Sequence, residues 1–303
     1  MPKKTEFVTI TGVPVRVDAW GGVSPSDIEK NPEAKPKDLI LLVPGNPGVV
    51  SFYDSFLERL HEKTKKCVWI VSHGGHDKGA ENLPPLDGNE DLFNLRGQTE
   101  QKKRFMEKYL ENVNVICIGH SIGCKMLLEV LKNSDVKIKQ GYFLFPTIER
   151  MAESKNAKIF TFAHSYLLWL ILIGCCIFVN LPQFITTILL KCYIYFTSIA
   201  PENAKALLDF IDPDVMKRVF FLADDELKKV RHLDDSDISK LKKHVKLYYG
   251  TTDGWVPLNY CKELKQRDGD IDAEICTKGF EHAFVLKNSL QMADLLSEWI
   301  IAL

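Results

Sequence analysis

Three short stretches of this 303-residue chain carry the residue types needed to attack a carbonyl group. They are Gly119-His120-Ser121-Ile122-Gly123, Tyr249-Gly250-Thr251-Thr252-Asp253-Gly254, and Gly279-Phe280-Glu281-His282-Ala283-Phe284. A serine hydroxyl is a weak nucleophile near neutral pH. It needs a base within hydrogen-bond reach, and the base needs a group that orients it. Ser121 as nucleophile, His282 as base and Asp253 as orienter meet that need, in the chain order serine, acid, histidine. The stretch between residues 253 and 282 leaves room for one helix and one strand. The Gly-x-Ser-x-Gly pattern demands a tight strand-to-helix turn that lifts the hydroxyl above a sheet. Glycines flank it because a Cβ there would clash. The following helix aims its positive N-terminal end at the reacting centre.

Charge building up on a carbonyl oxygen needs hydrogen-bond donors. The backbone N–H of Ile122, next to the nucleophile, is one candidate, and the loop Pro44-Gly45-Asn46-Pro47-Gly48 supplies the second. Pro47 has no N–H, so Asn46 is the first choice there and Gly45 the next. His73-Gly74-Gly75-His76-Asp77 resembles both an oxyanion loop and a His-x-x-His metal pair. With only Asp77 as a further nearby ligand and no thiol close by, it reads as a structural or cleft-lining loop, and no metal or cofactor is expected. His120, inside the turn, reads as a packed or hydrogen-bonded histidine.

The elements that must position these residues are legible as patterns. Residues 7–20 alternate apolar and polar positions around Thr11-Gly12 and predict a hairpin. Residues 24–38 read as a loop. Leu39-Ile40-Leu41-Leu42-Val43 and Cys67-Val68-Trp69-Ile70-Val71 are continuous apolar runs, as expected of strands covered on both faces. A helix carrying Phe52, Phe56 and Leu60 separates them. Residues 73–92 read as loop and residues 98–110 as a surface helix with Phe105, Met106 and Tyr109 turned inward. Strands over 113–118, 142–145, 245–249 and 272–277 follow. A C-terminal helix places Leu290, Met292, Leu295, Leu296, Trp299 and Ile300 on one stripe. Strands alternating with helices predict a mostly parallel α/β sheet covered on both faces.

Composition narrows the function classes. Lysine plus arginine (39) and aspartate plus glutamate (40) nearly cancel, so no global field favours nucleic acid. Eight scattered cysteines without a Cys-x-x-Cys pair predict reduced thiols and an intracellular protein. The first residues, Met1-Pro2-Lys3-Lys4, are not followed by the apolar run of a secretory signal.

Between Lys158 and Lys191 no Asp, Glu, Lys or Arg occurs. Asn180-Leu181-Pro182 interrupts this run, and a proline inside a helix costs about 3 kcal/mol. Two shorter helices are therefore expected, each under the roughly 20 residues that span a bilayer. Ser121 precedes the run, whereas Asp253 and His282 follow it. A single crossing would separate nucleophile from base, so the segment must leave and return on the same side, as a hairpin or an interfacial helix pair. Residues 201–244, with Val215, Val219, Phe220, Leu222, Leu227 and Val230, read as amphipathic helices completing a cap. The expected organisation is a core over residues 1–146 and 245–303, with an inserted cap over 147–244 that carries the lipid-seeking segment 159–190.

The chain resembles the lipid droplet-associated hydrolase family in Val43-Pro44-Gly45-Asn46-Pro47-Gly48, Ser72-His73, Gly75-His76, Gly119 to Gly123, Leu144-Phe145-Pro146-Thr147-Ile148-Glu149-Arg150-Met151, Tyr249-Gly250-Thr251 and His282-Ala283-Phe284. The resemblance implies an α/β-hydrolase fold, the triad Ser121, Asp253 and His282, and residence on lipid droplets and the cytoplasmic face of the endoplasmic reticulum. It also implies a role in turnover of neutral lipid or sterol esters. The expected partners are thus a lipid ester substrate and a droplet or membrane surface, with no nucleic acid and no metal. A droplet-bound scaffold with a vestigial site, and an acyltransferase using the same three residues, are the competing functions.

Overall fold

The computed structural model describes residues 2–303. Its eight strands are β1 (Lys4–Ile10), β2 (Val13–Trp20), β3 (Asp38–Val43), β4 (Cys67–Val71), β5 (Asn114–His120), β6 (Ile138–Leu144), β7 (Val245–Tyr249) and β8 (Ala273–Ile275). They form one sheet in the order β1-β2-β4-β3-β5-β6-β7-β8. The β1–β2 hairpin turns through Thr11 and Gly12, both at positive φ, a turn whose twist suits a two-residue hairpin. β2 lies antiparallel to β4, and every later pairing is parallel.

The unbroken apolar run of β3 is explained by two separate cores. Alternate side chains of a strand point to opposite faces. Leu39, Leu41 and Val43 enter the core on one face, and Ile40 and Leu42 enter the core on the other. The helix Asp54–Thr64 covers one face with Phe56, Leu57 and Leu60, and the helix Ile122–Asn133 covers the opposite face with Met126, Leu127 and Val130. The strand order therefore changes direction between β3 and β5. A crevice opens beyond the carboxyl ends of such neighbouring strands, where open α/β sheets bind ligands.

Several sequence expectations need correction. Residues 24–38 are not all loop: Pro25–Lys30 is a helix, started by a capping box between Ser24 and Asp27. The helix expected from residue 98 begins at Leu95, where the Asn94 side chain accepts the Gly97 N–H. Leu290 is half exposed, one position off the buried stripe formed by Met292, Leu296 and Ile300. The oily segment does break at Asn180-Leu181-Pro182, but its first arm is longer than expected. It runs as one 25-residue helix, Lys155–Val179. Ser154 caps it upstream of the apolar run, with its Oγ accepting the Ala157 N–H at 3.2 Å. That arm has a mean hydropathy of 2.1 and is long and apolar enough to cross a membrane, whereas the second arm, Gln183–Thr197, has 15 residues. The whole excursion departs after β6 and returns into β7, its immediate neighbour in the sheet.

Beneath the sheet edge, Lys102 of the helix Leu95–Leu110 is fully buried, and its Nζ donates one long hydrogen bond of 3.4 Å to Gln98 Oε1. Burial pulls its pKa down to about 7, against the opposing attraction of Asp77. An unfolded lysine titrates near 10.4. Between these values the unfolded chain holds a proton that the native state lacks, so this group costs stability as pH falls through the window, by about 1.4 kcal/mol per unit. Lys102→Met is expected to stabilise the protein by about 2–4 kcal/mol at pH 7, with the gain shrinking toward pH 10. Chemical denaturation at three pH values measures this, and a gain that does not vary with pH would refute the assignment.

Candidate active site

The carboxyl ends of five parallel strands bring the site together. β5 ends at His120 and turns sharply at Ser121, whose backbone sits at φ 53°, ψ −122°. Such a conformation is strained for any residue with a Cβ and persists only where its surroundings impose it. Here Ser121 N–H donates to Leu144 O at 3.0 Å and Ser121 O accepts the Thr147 N–H at 3.2 Å, so the chain after β6 clamps the turn. The flanking glycines have specific causes. A Cβ on Gly123 would lie 2.2 Å from Val43 O, and one on Gly119 would lie 2.9 Å from Cys124 Cα.

Asp253 follows β7 in a tight turn. Its Oδ1 accepts the N–H groups of Trp255 and Val256 at 2.8 and 3.0 Å, which leaves Oδ2 for His282 Nδ1 at 2.6 Å. The carboxylate is wholly buried. His282, in the loop after β8, places Nε2 2.9 Å from Ser121 Oγ. With Nδ1–H donated to the carboxylate, Nε2 is left to accept the serine proton. The structure thus brings Ser121, His282 and Asp253 into one hydrogen-bonded line from three separate strand ends.

The donors around Ser121 differ in part from expectation. Gly45 lies so close that a Cβ on it would sit 2.8 Å from Ser121 Cβ. Its N–H, however, is donated to Tyr53 Oη at 3.0 Å. Gly45 is therefore already committed, and it drops out as an oxyanion donor. The backbone N–H groups of Asn46 and Ile122 have no backbone acceptor among the described residues and remain open to a ligand oxygen. The Asn46 side chain turns outward to the cap, with Nδ2 donating to Val219 O at 3.0 Å and to Glu226 Oε1 at 3.2 Å.

Tyr53 continues into a relay that the sequence did not reveal. Its Oη is 2.6 Å from His120 Nδ1, and His120 Nε2 is 2.8 Å from His282 O. Burial holds the His120 pKa down at about 3, so the ring is neutral, accepts at Nδ1 and donates at Nε2. His120 thereby ties the loop of His282 to the loop of Gly45. Thr147 was also missed as a site residue. Its buried Oγ1 lies 3.1 Å from Ser121 Oγ. Its only sequence signal was membership of the Leu144 to Met151 stretch, to which no role could be attached.

His73, His76 and Asp77 sit behind the Pro44 to Gly48 loop as a brace. His76, its pKa held at about 3 by burial, donates Nδ1–H to Pro47 O at 2.6 Å. A Cβ on Gly48 would meet the His73 ring at 2.4 Å. Asp77 accepts the Val50 N–H at 3.2 Å and pairs with Arg16 at 3.3 Å, while burial pushes its pKa up to about 7.

Ser121 and His282 open into a cavity of about 380 Å³. Cap side chains line much of it, and the roots of both arms of the oily hairpin contribute Phe160, Tyr193 and nearby Ile199. Beyond these roots the hairpin is exposed, with Trp169 and Phe184 uncovered at 64% and 68%, and Phe196, beside the second root, is uncovered at 82%.

Residues 36–285 match the family described as lipid-droplet associated hydrolase. Relatives carrying that name include a protein from Drosophila melanogaster, 37% identical with 97% of each chain covered. Another, from Homo sapiens, is 30% identical over 98% of this chain and 95% of its own. Among solved structures, a haloalkane dehalogenase from Bradyrhizobium elkani superimposes with a TM-score of 0.67 at 10% identity, covering 99% of this chain and 98% of its own. The thioesterase domain from the curacin biosynthetic pathway gives 0.65 at 13% identity, with each chain fully covered. These two likenesses carry the fold alone. A sheet whose fifth strand ends in the sharp turn at Ser121, together with relatives matched along nearly their whole length, places this chain in the lipid droplet-associated hydrolase family, with an α/β-hydrolase fold.

Proposed function

We propose that this protein is a serine hydrolase that cleaves lipid esters at the surface of lipid droplets. The observation that carries the reading is the line Asp253–His282–Ser121 set at the floor of a mainly apolar cavity whose rim includes the roots of an exposed oily hairpin. Ser121 Oγ attacks the ester carbonyl while His282 Nε2 takes its proton. Asp253 holds the imidazole in the tautomer that can accept and stabilises the imidazolium that forms. The N–H groups of Ile122 and Asn46 receive the negative oxygen of the tetrahedral intermediate. His282 returns the proton to the departing alcohol, leaving the acid esterified to Ser121. Water, activated by His282 in turn, releases the acid and restores the serine. No metal or cofactor takes part in this scheme.

The hairpin serves the same reaction. Its exposed surface favours a lipid phase, and both arms root at the cavity, so attachment brings the opening to the lipid. Because the excursion leaves and re-enters the sheet at neighbouring strands, the fold stays on one side of the surface it joins. Droplets and the cytoplasmic face of the endoplasmic reticulum are the surfaces we assign. The test is lipid analysis of reconstituted droplets incubated with wild-type protein or with Ser121→Ala. Wild type should release free acid and alcohol, and the variant should not. A fluorophosphonate probe should mark wild type alone. Labelling that persists in Ser121→Ala would move the nucleophile elsewhere, and droplets unchanged by wild type would favour a non-catalytic role.

A further inference from the structure

Glu226 has no part in the chemistry described above, yet it lies in the same cavity as Ser121. It belongs to the cap helix Pro213–Lys229 and is 1% exposed. Its companions in the cavity wall include Phe52, Leu207, Phe210, Val219 and Val285. A carboxyl is an expensive group to keep in such a wall, because buried acids are normally paired or fully hydrogen-bonded. Glu226 has no salt bridge among the described residues. Three cations of its own helix are engaged elsewhere: Lys217 with Asp87, Lys228 with Asp224, and Arg218 with backbone oxygens of Asp214 and Pro84.

The one protein hydrogen bond to Glu226 comes from Asn46 Nδ2, at 3.2 Å. Burial raises the carboxyl pKa well above its ordinary value and so favours the form that carries an O–H. No acceptor for that O–H is found among the described residues. Asn46 Oδ1 is buried as well and lacks a partner. Glu226, with one oxygen bonded to Asn46, has its other oxygen left to accept from a hydroxyl in the cavity and, when protonated, to donate to it. The position is close to the reaction, since Asn46 adjoins Gly45, the residue packed against Ser121.

We propose that the Glu226 carboxyl recognises a free hydroxyl on the substrate, so that the preferred ester is a hydroxyl-bearing one, such as a partial ester of a polyol, and not a wholly apolar ester. This inference rests on the ester-hydrolase reading. Glu226 binds and selects, and takes no part in bond breaking. The discrimination comes from the apolar analogue leaving the buried carboxyl without a partner.

The experiment compares kcat/KM for two esters of oleic acid in the same mixed micelles with the full-length protein. One is the monoglyceride, which carries free hydroxyls, and the other is the propyl ester. Wild type should favour the monoglyceride by about 10- to 100-fold, the range expected for one buried hydrogen-bond pair. Glu226→Leu should bring the ratio close to one. Glu226→Gln, which still donates and accepts, should retain most of the preference. The Leu variant should remain folded, because Asn46 Nδ2 keeps its bond to Val219 O. A wild-type ratio near one, a ratio unchanged in Glu226→Leu, or an equal loss in both variants would overturn the assignment while leaving ester hydrolysis intact. Failure to cleave either ester would remove the hydrolase reading and this inference together.

Discussion

Ester turnover is expected to fall by about 10⁴- to 10⁶-fold when Ser121 is replaced by alanine, and by a similar factor in His282→Ala. The two losses should not add. In the proposed mechanism Ser121 Oγ and His282 Nε2, 2.9 Å apart, act as one unit, so the double variant should be about as slow as either single one. Asp253→Asn should cost about 10³–10⁴-fold, for a reason visible in the turn. Oδ1 already accepts two backbone N–H groups, from Trp255 and Val256. An asparagine would keep its oxygen there and turn its NH2 toward His282. Nδ1 would then have to accept, and Nε2 would carry the proton and face the serine as a donor. The base would be in the wrong tautomer with its position unchanged. Pre-steady-state acylation with a chromogenic ester separates these cases. A Ser121→Ala rate within tenfold of wild type, or multiplicative losses in the double variant, would contradict the relay.

The second large effect concerns attachment. Leu170 and Ile177, on the first arm of the hairpin, are 51% and 59% exposed and lie outside the cavity wall. Placing an ionised side chain in a lipid phase costs about 2.5–3.5 kcal/mol near the centre of a bilayer. The double substitution Leu170→Asp, Ile177→Asp is therefore expected to weaken partitioning onto droplets by roughly 10⁴- to 10⁵-fold. Flotation with artificial droplets measures this directly. Because neither residue touches the core, fluorophosphonate labelling of the variant in detergent should remain, which separates detachment from misfolding. Unchanged flotation would mean that some other surface holds the lipid. An exposed apolar area of this extent on a protein without such a partner would lead to aggregation.

Most of the sheet could be read from local patterns, because alternation and continuous apolar runs report directly on how many faces of a strand are covered. β3 shows why. Its five apolar residues divide between two cores, so no position could be polar. The capped helix at Pro25–Lys30 was missed because its six residues hold too few apolar positions to show a period, although Ser24 and Asp27 are the residues of a capping box. The arm Lys155–Val179 is longer than its apolar run because the helix starts at Lys155, directly after the Ser154 cap and four positions before Ile159.

Around the reacting centre the division follows the range of the interactions. The residue types at 121, 253 and 282, in that order on the ends of strands, were determined by the sequence alone. The turn at Ser121 needs glycines at fixed offsets, and an acid and a histidine must follow successive strands. What the tertiary structure alone decided is which donors and acceptors remain free. Tyr53 takes the N–H of Gly45, His120 reaches the carbonyl of His282, Thr147 approaches the serine hydroxyl, and Glu226 enters the cavity from the cap. Each of these contacts joins residues far apart in the chain or on different elements. A hydrogen bond depends on short distance and direction, so its assignment depends on the packed arrangement and leaves no period in the order of residues.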